Sequence, residues 1–470
     1  MPYPNTSRLP SNFDQSRRRN ETEWYRIESV VPRFWACGPS FAVGYTPNRM
    51  LPGRPRRWRA LLTGDDAQRA RAAVAGIADA LADPESTWPV GAGRGARRED
   101  RASLAGGAAG IALFHGYLEH ARRRTADRSR TDRWLHYAAG ALTEHSLPPG
   151  LHTGFTGIAW AHAHLDGLRG TPGATNVSAI DEALFHRLSS GWTWDYELLY
   201  GLVGMGVYAV ERLPTPAGQR LLALVLQRLD EASERQGCRV AWRTPPDGQL
   251  SAARGGHHDL GMAHGAAGVV ALLGAACRTA SAPAAMAMQS GAVEWLWAQR
   301  LAGPGAGMFP AMRRRGRPSH ASRLAWCYGD AGIAAALWLA AEGAGRDDWQ
   351  EQARRVARRA ARRSLASSGV VDAGLCHGAA GLGHTFNRIY HATGDPTLGD
   401  AARRWFRRAL ALRQPGQGVA GWASDPGLLT GAAGVGLALL AAISPVEPGW
   451  DRCLLLSSSA HFALPSHRNV

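Results

Sequence analysis

The chain has 470 residues, 45% apolar and 20% charged, which is enough for a packed core and too apolar for bulk disorder. Its net charge of +16 rests wholly on arginine, for the sequence has no lysine, and that excludes a P-loop lysine, a Schiff-base lysine and a lysine general base. Such a charge would attract acidic partners, but no recognition-helix, RRM or zinc-finger pattern accompanies it, so nucleic acid is not an expected partner.

Residues 1 to 65, rich in Arg, Pro and Trp, read as an N-terminal arm with partial disorder. The polar start has no apolar h-region behind it. No stretch reaches the roughly 18 to 20 uninterrupted apolar residues that a membrane span needs, so a cytoplasmic chain without stable membrane insertion is expected. Six cysteines (Cys37, Cys238, Cys277, Cys327, Cys376 and Cys453) are too sparse for a disulfide scaffold and favour metal or catalytic use.

From residue 107 onward a short glycine signature, G-x-x-G followed by an apolar run, recurs seven times. In chain order the copies are GAAGIALF from Gly107, GFTGIAWA from Gly154, GLVGMGVY from Gly201, GAAGVVAL from Gly265, GDAGIAAA from Gly329, GAAGLGHT from Gly378 and GAAGVGLA from Gly431. Their first glycines are 47, 47, 64, 64, 49 and 53 residues apart. One copy carries no information, but seven at near-regular spacing mark a repeated structural unit. The two long spacings leave room for insertions around 245–255 and 303–318.

Each apolar run reads as a buried helix, and the glycines at its start allow a sharp turn and close backbone approach. Amphipathic, charged helices lie between the runs. Asp348 to Leu365 puts Trp349, Ala353, Val356, Ala360 and Ala361 inward. Asp400 to Arg413 aligns Ala401, Trp405, Ala409 and Leu412, with arginines on the other face. No segment shows sustained period-two alternation. The expected fold is therefore all-α, a set of hairpins with one inner and one outer helix each. The last copy is as apolar as the others, which favours a closed ring over an open solenoid. Closure would bring the seven glycine turns to one end, around a central cavity. The ring is expected over residues 66–450, with a tail over 451–470.

The residues just before the turns carry the chemistry. The fifth copy reads WCYGDAG, the sixth CHGAAG and the fourth AHGAAG. Cys327 and Cys376 hold the same repeat position, two residues before the first glycine, and His377 follows Cys376. Converging turns would join them into a set of two thiolates and one imidazole that suits zinc and leaves a fourth position open, as in catalytic sites.

Together GMAHGAAG, RLAWCYGDAG and GLCHGAAG resemble the motifs of the lanthionine synthetase C (LanC-like) cyclases, over roughly residues 70 to 445 and all seven repeats. The resemblance implies an α/α toroid of seven inner and seven outer helices, with one Zn2+ held by Cys327, Cys376 and His377. It implies that His264 is a catalytic acid/base, and that Arg323 and Tyr328 belong to the same site. Where the family commonly has an aspartate, four residues before the third-repeat glycine, this chain has Glu197, with Asp195 two residues upstream as the other candidate.

The chemistry fits these residues. A thiol is mostly protonated at neutral pH, and zinc would favour the nucleophilic thiolate. Its attack on dehydroalanine or dehydrobutyrine builds negative charge on an enolate oxygen, where Arg323 is a suitable cation. A proton must then reach the α-carbon, and His264 titrates nearest to working pH, with Glu197 to orient it. His152, His257 and His258 read as loop or supporting residues, His384 as a core residue, and Tyr200 as a rim or cavity residue. The implied protein is a stand-alone cyclase acting on a dehydrated precursor peptide, with a separate dehydratase as its expected partner. Alternatives are addition of glutathione or another thiol to dehydrated residues, and a non-catalytic zinc-binding peptide scaffold.

Overall fold

The computed structural model describes residues 57–88, 100–122, 125–244, 256–279, 283–303, 307–422 and 425–458. The arm's first 56 residues and the last twelve of the tail lie outside the described residues, as does the insertion at 245–255.

Fourteen long helices account for most of what is described. They are α1 (Gly64–Ala80), α2 (Ala108–Arg122), α3 (Thr125–Glu144), α4 (Phe155–Leu168), α5 (Ser178–Ser189), α6 (Leu202–Glu211) and α7 (Pro216–Glu231). The chain continues through α8 (Ala266–Thr279), α9 (Pro283–Ala298), α10 (Asp330–Ala344), α11 (Asp347–Ala361), α12 (Ala379–Thr393), α13 (Pro396–Ala411) and α14 (Ala432–Ile443). The even-numbered helices are the seven apolar runs. They pack neighbour to neighbour, and α14 returns to α2, which closes an inner ring. The odd-numbered helices lie outside it. The first of them, α1, is the outer partner of the last inner helix, α14, so the two ends of the ring domain lock together. The chain is thus an α/α toroid of seven inner and seven outer helices.

Burial follows the sequence pattern. In α14 every residue from Ala432 to Ala442 is buried, as expected of a helix apolar all round. In α11 the buried stripe is Trp349, Ala353, Val356, Ala357, Ala360 and Ala361, with arginines outside and Asp347 and Asp348 at the positive N-terminus. This helix stops at Ala361, short of the expected Leu365, because a separate turn begins at Ser364, whose side chain accepts from the Ser367 amide. Two short antiparallel ribbons interrupt the helices: β1 (Glu234–Gln236) with β2 (Arg239–Ala241), and β3 (His258–Asp259) with β4 (Met312–Arg313).

The glycine signature has a single steric cause. A Cβ on the second glycine of each copy would overlap the carbonyl oxygen six residues upstream: Trp326 for Gly332, Leu375 for Gly381, and the equivalent residue in the other five. The six residues before each inner helix therefore fold back onto its first turn. These seven turns are stitched together by backbone hydrogen bonds. The amide of Ala105 donates to His152 O (2.9 Å), His152 to Leu199 O (3.1 Å), Leu198 to Ala263 O (3.2 Å) and Ala263 to Cys327 O (3.2 Å). Cys327 donates to Cys376 O (3.2 Å), Cys376 to Leu429 O (2.7 Å) and Leu429 back to Ala105 O (2.9 Å). All but Leu198 sit two residues before a first glycine, so the repeat position shared by the cysteines is a ring of backbone at one end of the toroid.

The axis of the ring is filled. The turn Gly449–Leu454 and the residues after it reach side chains of four repeats: Asp451 bonds His384 and Arg388, Arg452 bonds Glu211 and His164, Cys453 O meets His152, and Leu454 O accepts from Trp326. The expected central cavity is therefore occupied by chain, because these inner helices carry polar groups that only such a segment satisfies. At the other end of the sequence Trp58, Leu61 and Leu62 are buried, with the amides of Leu61 and Leu62 on Ala442 O.

Candidate active site

Because Cys327 and Cys376 occupy the same turn position in neighbouring repeats, the backbone bond between them brings their side chains together. Their sulfurs and a ring nitrogen of His377 all lie within 4.8 Å of one another. No other such group of His, Cys, Asp and Glu occurs among the described residues. Nδ1 of His377 is buried without a hydrogen-bond partner, and Nε2 lies 3.5 Å from Asp372 Oδ2. A carboxylate behind one imidazole nitrogen and an unsatisfied second nitrogen beside two thiols is the usual surrounding of a metal-bound histidine. The donor set fits zinc on that ground and on its chemistry. The Cys376 thiol donates to Cys327 and holds the Cys327 thiol down to about 5 against the opposing effect of burial, with His377 and Arg323 helping, while Cys376 is pushed up. Nη2 of Arg323 lies 3.9 Å from Cys327 Sγ.

The fourth repeat adds His264 from the adjacent turn, bonded to the fifth through Ala263. Its Nδ1 lies 2.6 Å from Glu197 Oε2 in the third repeat, so Nε2 is the ring nitrogen that Glu197 does not engage. The other oxygen, Oε1, accepts from the Tyr200 amide at 2.6 Å, so the carboxylate is fixed in its own turn. Burial works against a charge on His264, but the Glu197 contact, with Asp259 and Cys327 nearby, outweighs it and holds the imidazole above its usual value. The His264 ring stacks with Tyr328 at 5.8 Å and with Tyr200 at 6.1 Å. Asp195 makes no such approach. Its carbonyl accepts from Trp192 and from the Leu202 amide, and burial followed by the Glu197 charge raises its carboxyl to about 6.

All seven residues singled out from the sequence thus sit on four consecutive turns. His152 and His384 are fully buried on the axial segment, and Tyr200 is half exposed beside His264. Two carboxylates escaped the sequence reading. Asp372 stands behind His377, and Asp259 contacts His257, Thr244 and Tyr328. Both sit six residues before a first glycine, where the backbone folds back, and that register was the available signal.

Residues 98–455 match the profile of the lanthionine synthetase C-like protein family. No curated protein matches the sequence. Among solved structures, nisin cyclase superposes with a TM-score of 0.63 at 18% identity, covering 83% of this chain and 97% of that one. At that identity the likeness supports the toroid fold, and the match over most of the length shows that the chain belongs to the lanthionine synthetase C-like family.

Proposed function

We propose that this protein is a stand-alone, zinc-dependent cyclase that joins cysteine thiols of a precursor peptide to its dehydroalanine and dehydrobutyrine residues, forming thioether rings. The observation that carries this reading is the meeting of Cys327, Cys376 and His377 with the His264–Glu197 pair on adjacent turns. The family match and the toroid shared with nisin cyclase support it. The peptide would arrive already dehydrated by a separate cytoplasmic enzyme. No described helix is long and apolar enough to cross a membrane.

Cys327, Cys376 and His377 would hold the zinc, whose charge would favour the thiolate form of a substrate cysteine. The sulfur lone pair then forms the C–S bond at the β-carbon, and the Cα=Cβ electron pair moves toward the neighbouring carbonyl. Arg323, whose Nη2 is 3.9 Å from Cys327 Sγ, would meet that oxyanion. His264, whose hold on a proton Glu197 strengthens, delivers a proton to the α-carbon and regains one at the expense of the thiol. Mass is conserved, since one proton leaves sulfur and one reaches carbon.

The test is to incubate the zinc-loaded protein with a dehydrated, cysteine-containing peptide. The expected result is loss of alkylatable thiol with no change in peptide mass. Unchanged thiol content would overturn the reading, and a mass gain of one glutathione, seen only when glutathione is present, would replace it with addition of an external thiol.

A further inference from the structure

Asp259 is the second buried carboxylate at this site and is 4% exposed. It lies on β3, which pairs with β4 of the 303–318 insertion. Three groups surround its carboxylate. Thr244 Oγ1 donates to Oδ2 at 3.2 Å, His257 Nε2 lies 3.1 Å from the same oxygen, and the Tyr328 hydroxyl donates to Oδ1 at 3.5 Å. Thr244 is held in turn by Tyr196, whose hydroxyl is 3.3 Å away, and by paired backbone bonds to His257 of 2.7 and 3.0 Å. Gly261 completes the arrangement. A Cβ there would stand 2.2 Å from the Cys327 carbonyl oxygen and 2.7 Å from Cδ1 of Tyr328, so the missing side chain lets the fifth-repeat backbone and the phenol ring both lie against the residues that follow β3. The same ring stacks on His264.

We propose that Asp259 is a positioning residue for the cyclisation, acting through Tyr328. By taking the hydroxyl hydrogen, its carboxylate leaves the phenol oxygen to face the site as an acceptor for an N–H or S–H of the substrate, and locks the ring against His264. Two carboxylates then serve the site in different ways: Glu197 orients the imidazole and Asp259 orients the phenol. A donor and an acceptor held about 1 Å out of place typically change rates by about a hundredfold, so orientation by a buried anchor is worth a measurable share of turnover.

This inference rests on the cyclase reading, and a double-mutant cycle separates the two. If the wild-type protein leaves the dehydrated peptide open, the cyclase reading fails. If it cyclises the peptide, the cycle tests Asp259 alone. Asp259→Ala is expected to keep full zinc and to lower kcat roughly ten- to a hundredfold with KM little changed. Asp259→Asn, whose amide oxygen still accepts the phenol hydrogen, should recover most of that loss. Asp259→Ala/Tyr328→Phe should be no slower than Tyr328→Phe, because the anchor has nothing left to hold. Multiplying losses in the double variant, an Asn variant as slow as the Ala variant, or a wild-type rate for Asp259→Ala would each overturn the proposal. Should Asp259→Ala fail to fold or to load zinc, Thr244→Val, which removes one of the two groups on the Asp259 Oδ2 oxygen, takes its place in the same cycle, and losses that multiply with Tyr328→Phe sink the idea.

Discussion

Cys327 and Cys376 are brought within reach of one metal by backbone, not by local spacing, and this gives the first prediction. Cys327→Ala or Cys376→Ala should reduce zinc per chain to near zero by elemental analysis, while Cys238→Ala, exposed and away from the cluster, should keep it. The second concerns His264. Its imidazole is held above the usual value by Glu197, so it stays a proton donor to higher pH than a free histidine. His264→Ala should keep zinc and lose roughly 10²- to 10⁴-fold in kcat. Glu197→Gln removes the charge that raises the imidazole, so the limb on which activity falls with rising pH should move to lower pH. Glu197→Asp should retain substantial activity, because the aspartate restores an ionised group in the same turn. If Asp195→Asn abolishes turnover in a zinc-loaded protein and Glu197→Gln does not, the carboxylate role moves two residues upstream.

At the scale of the helix and its turn, the sequence was legible where one physical cause repeats. Seven close backbone approaches demand seven glycine pairs, so the inner helices, their number and the site end of the ring could all be read from spacing. Outer helices were read through their stripes, though not their ends: Ser364 starts a new turn before the arginine-rich pattern of α11 runs out. Asp259 and Asp372 were missed although they share a register six residues before a first glycine, because only the folded-back turns show what that register does: one turn brings Asp372 to His377, and β3 brings Asp259 to Tyr328. The cause of the glycine pattern is testable. Gly332→Ala would drive a Cβ into the Trp326 carbonyl beside Cys327, so thermal stability and zinc content should both fall. Gly140→Ala, within the outer helix α3 and with nothing within 4 Å of its new Cβ, should instead stabilise the protein by about 0.5–1 kcal/mol in denaturant unfolding.

On the scale of the whole molecule, the toroid is held from within as well as around its rim. The axial segment ties α4, α6 and α12 to the end of the ring that carries the cysteines, since Leu454 O accepts from Trp326, the neighbour of Cys327. Nothing local in its sequence distinguishes it from a tail; its burial depends on partners 63 to 301 residues away. Its central interaction is a largely buried ion pair, Arg452 with Glu211, with His164 Nδ1 3.0 Å from the same carboxylate. Burial works against the Glu211 charge, yet Arg452 and His164 outweigh it and bring the carboxyl from 4.5 down to about 2. A carboxylate with a depressed native value contributes stability above its unfolded value and loses that contribution as pH falls toward its folded value. The contribution should therefore be full at pH 7 and fade between about pH 4.5 and 2. Arg452→Met leaves Glu211 buried without its cation, and should destabilise the fold by about 3–5 kcal/mol at pH 7 in denaturant unfolding. The pair Arg452→Met/Glu211→Leu removes both charges and should recover most of that loss, since a buried ion pair can be replaced by packed apolar groups at little net change. Unfolding at pH 7 and pH 3 decides the matter: the gap between wild type and the single variant should narrow in acid. An equal gap at both values, or a double variant as unstable as the single one, would show that Arg452 stabilises the axis by packing and not by its charge.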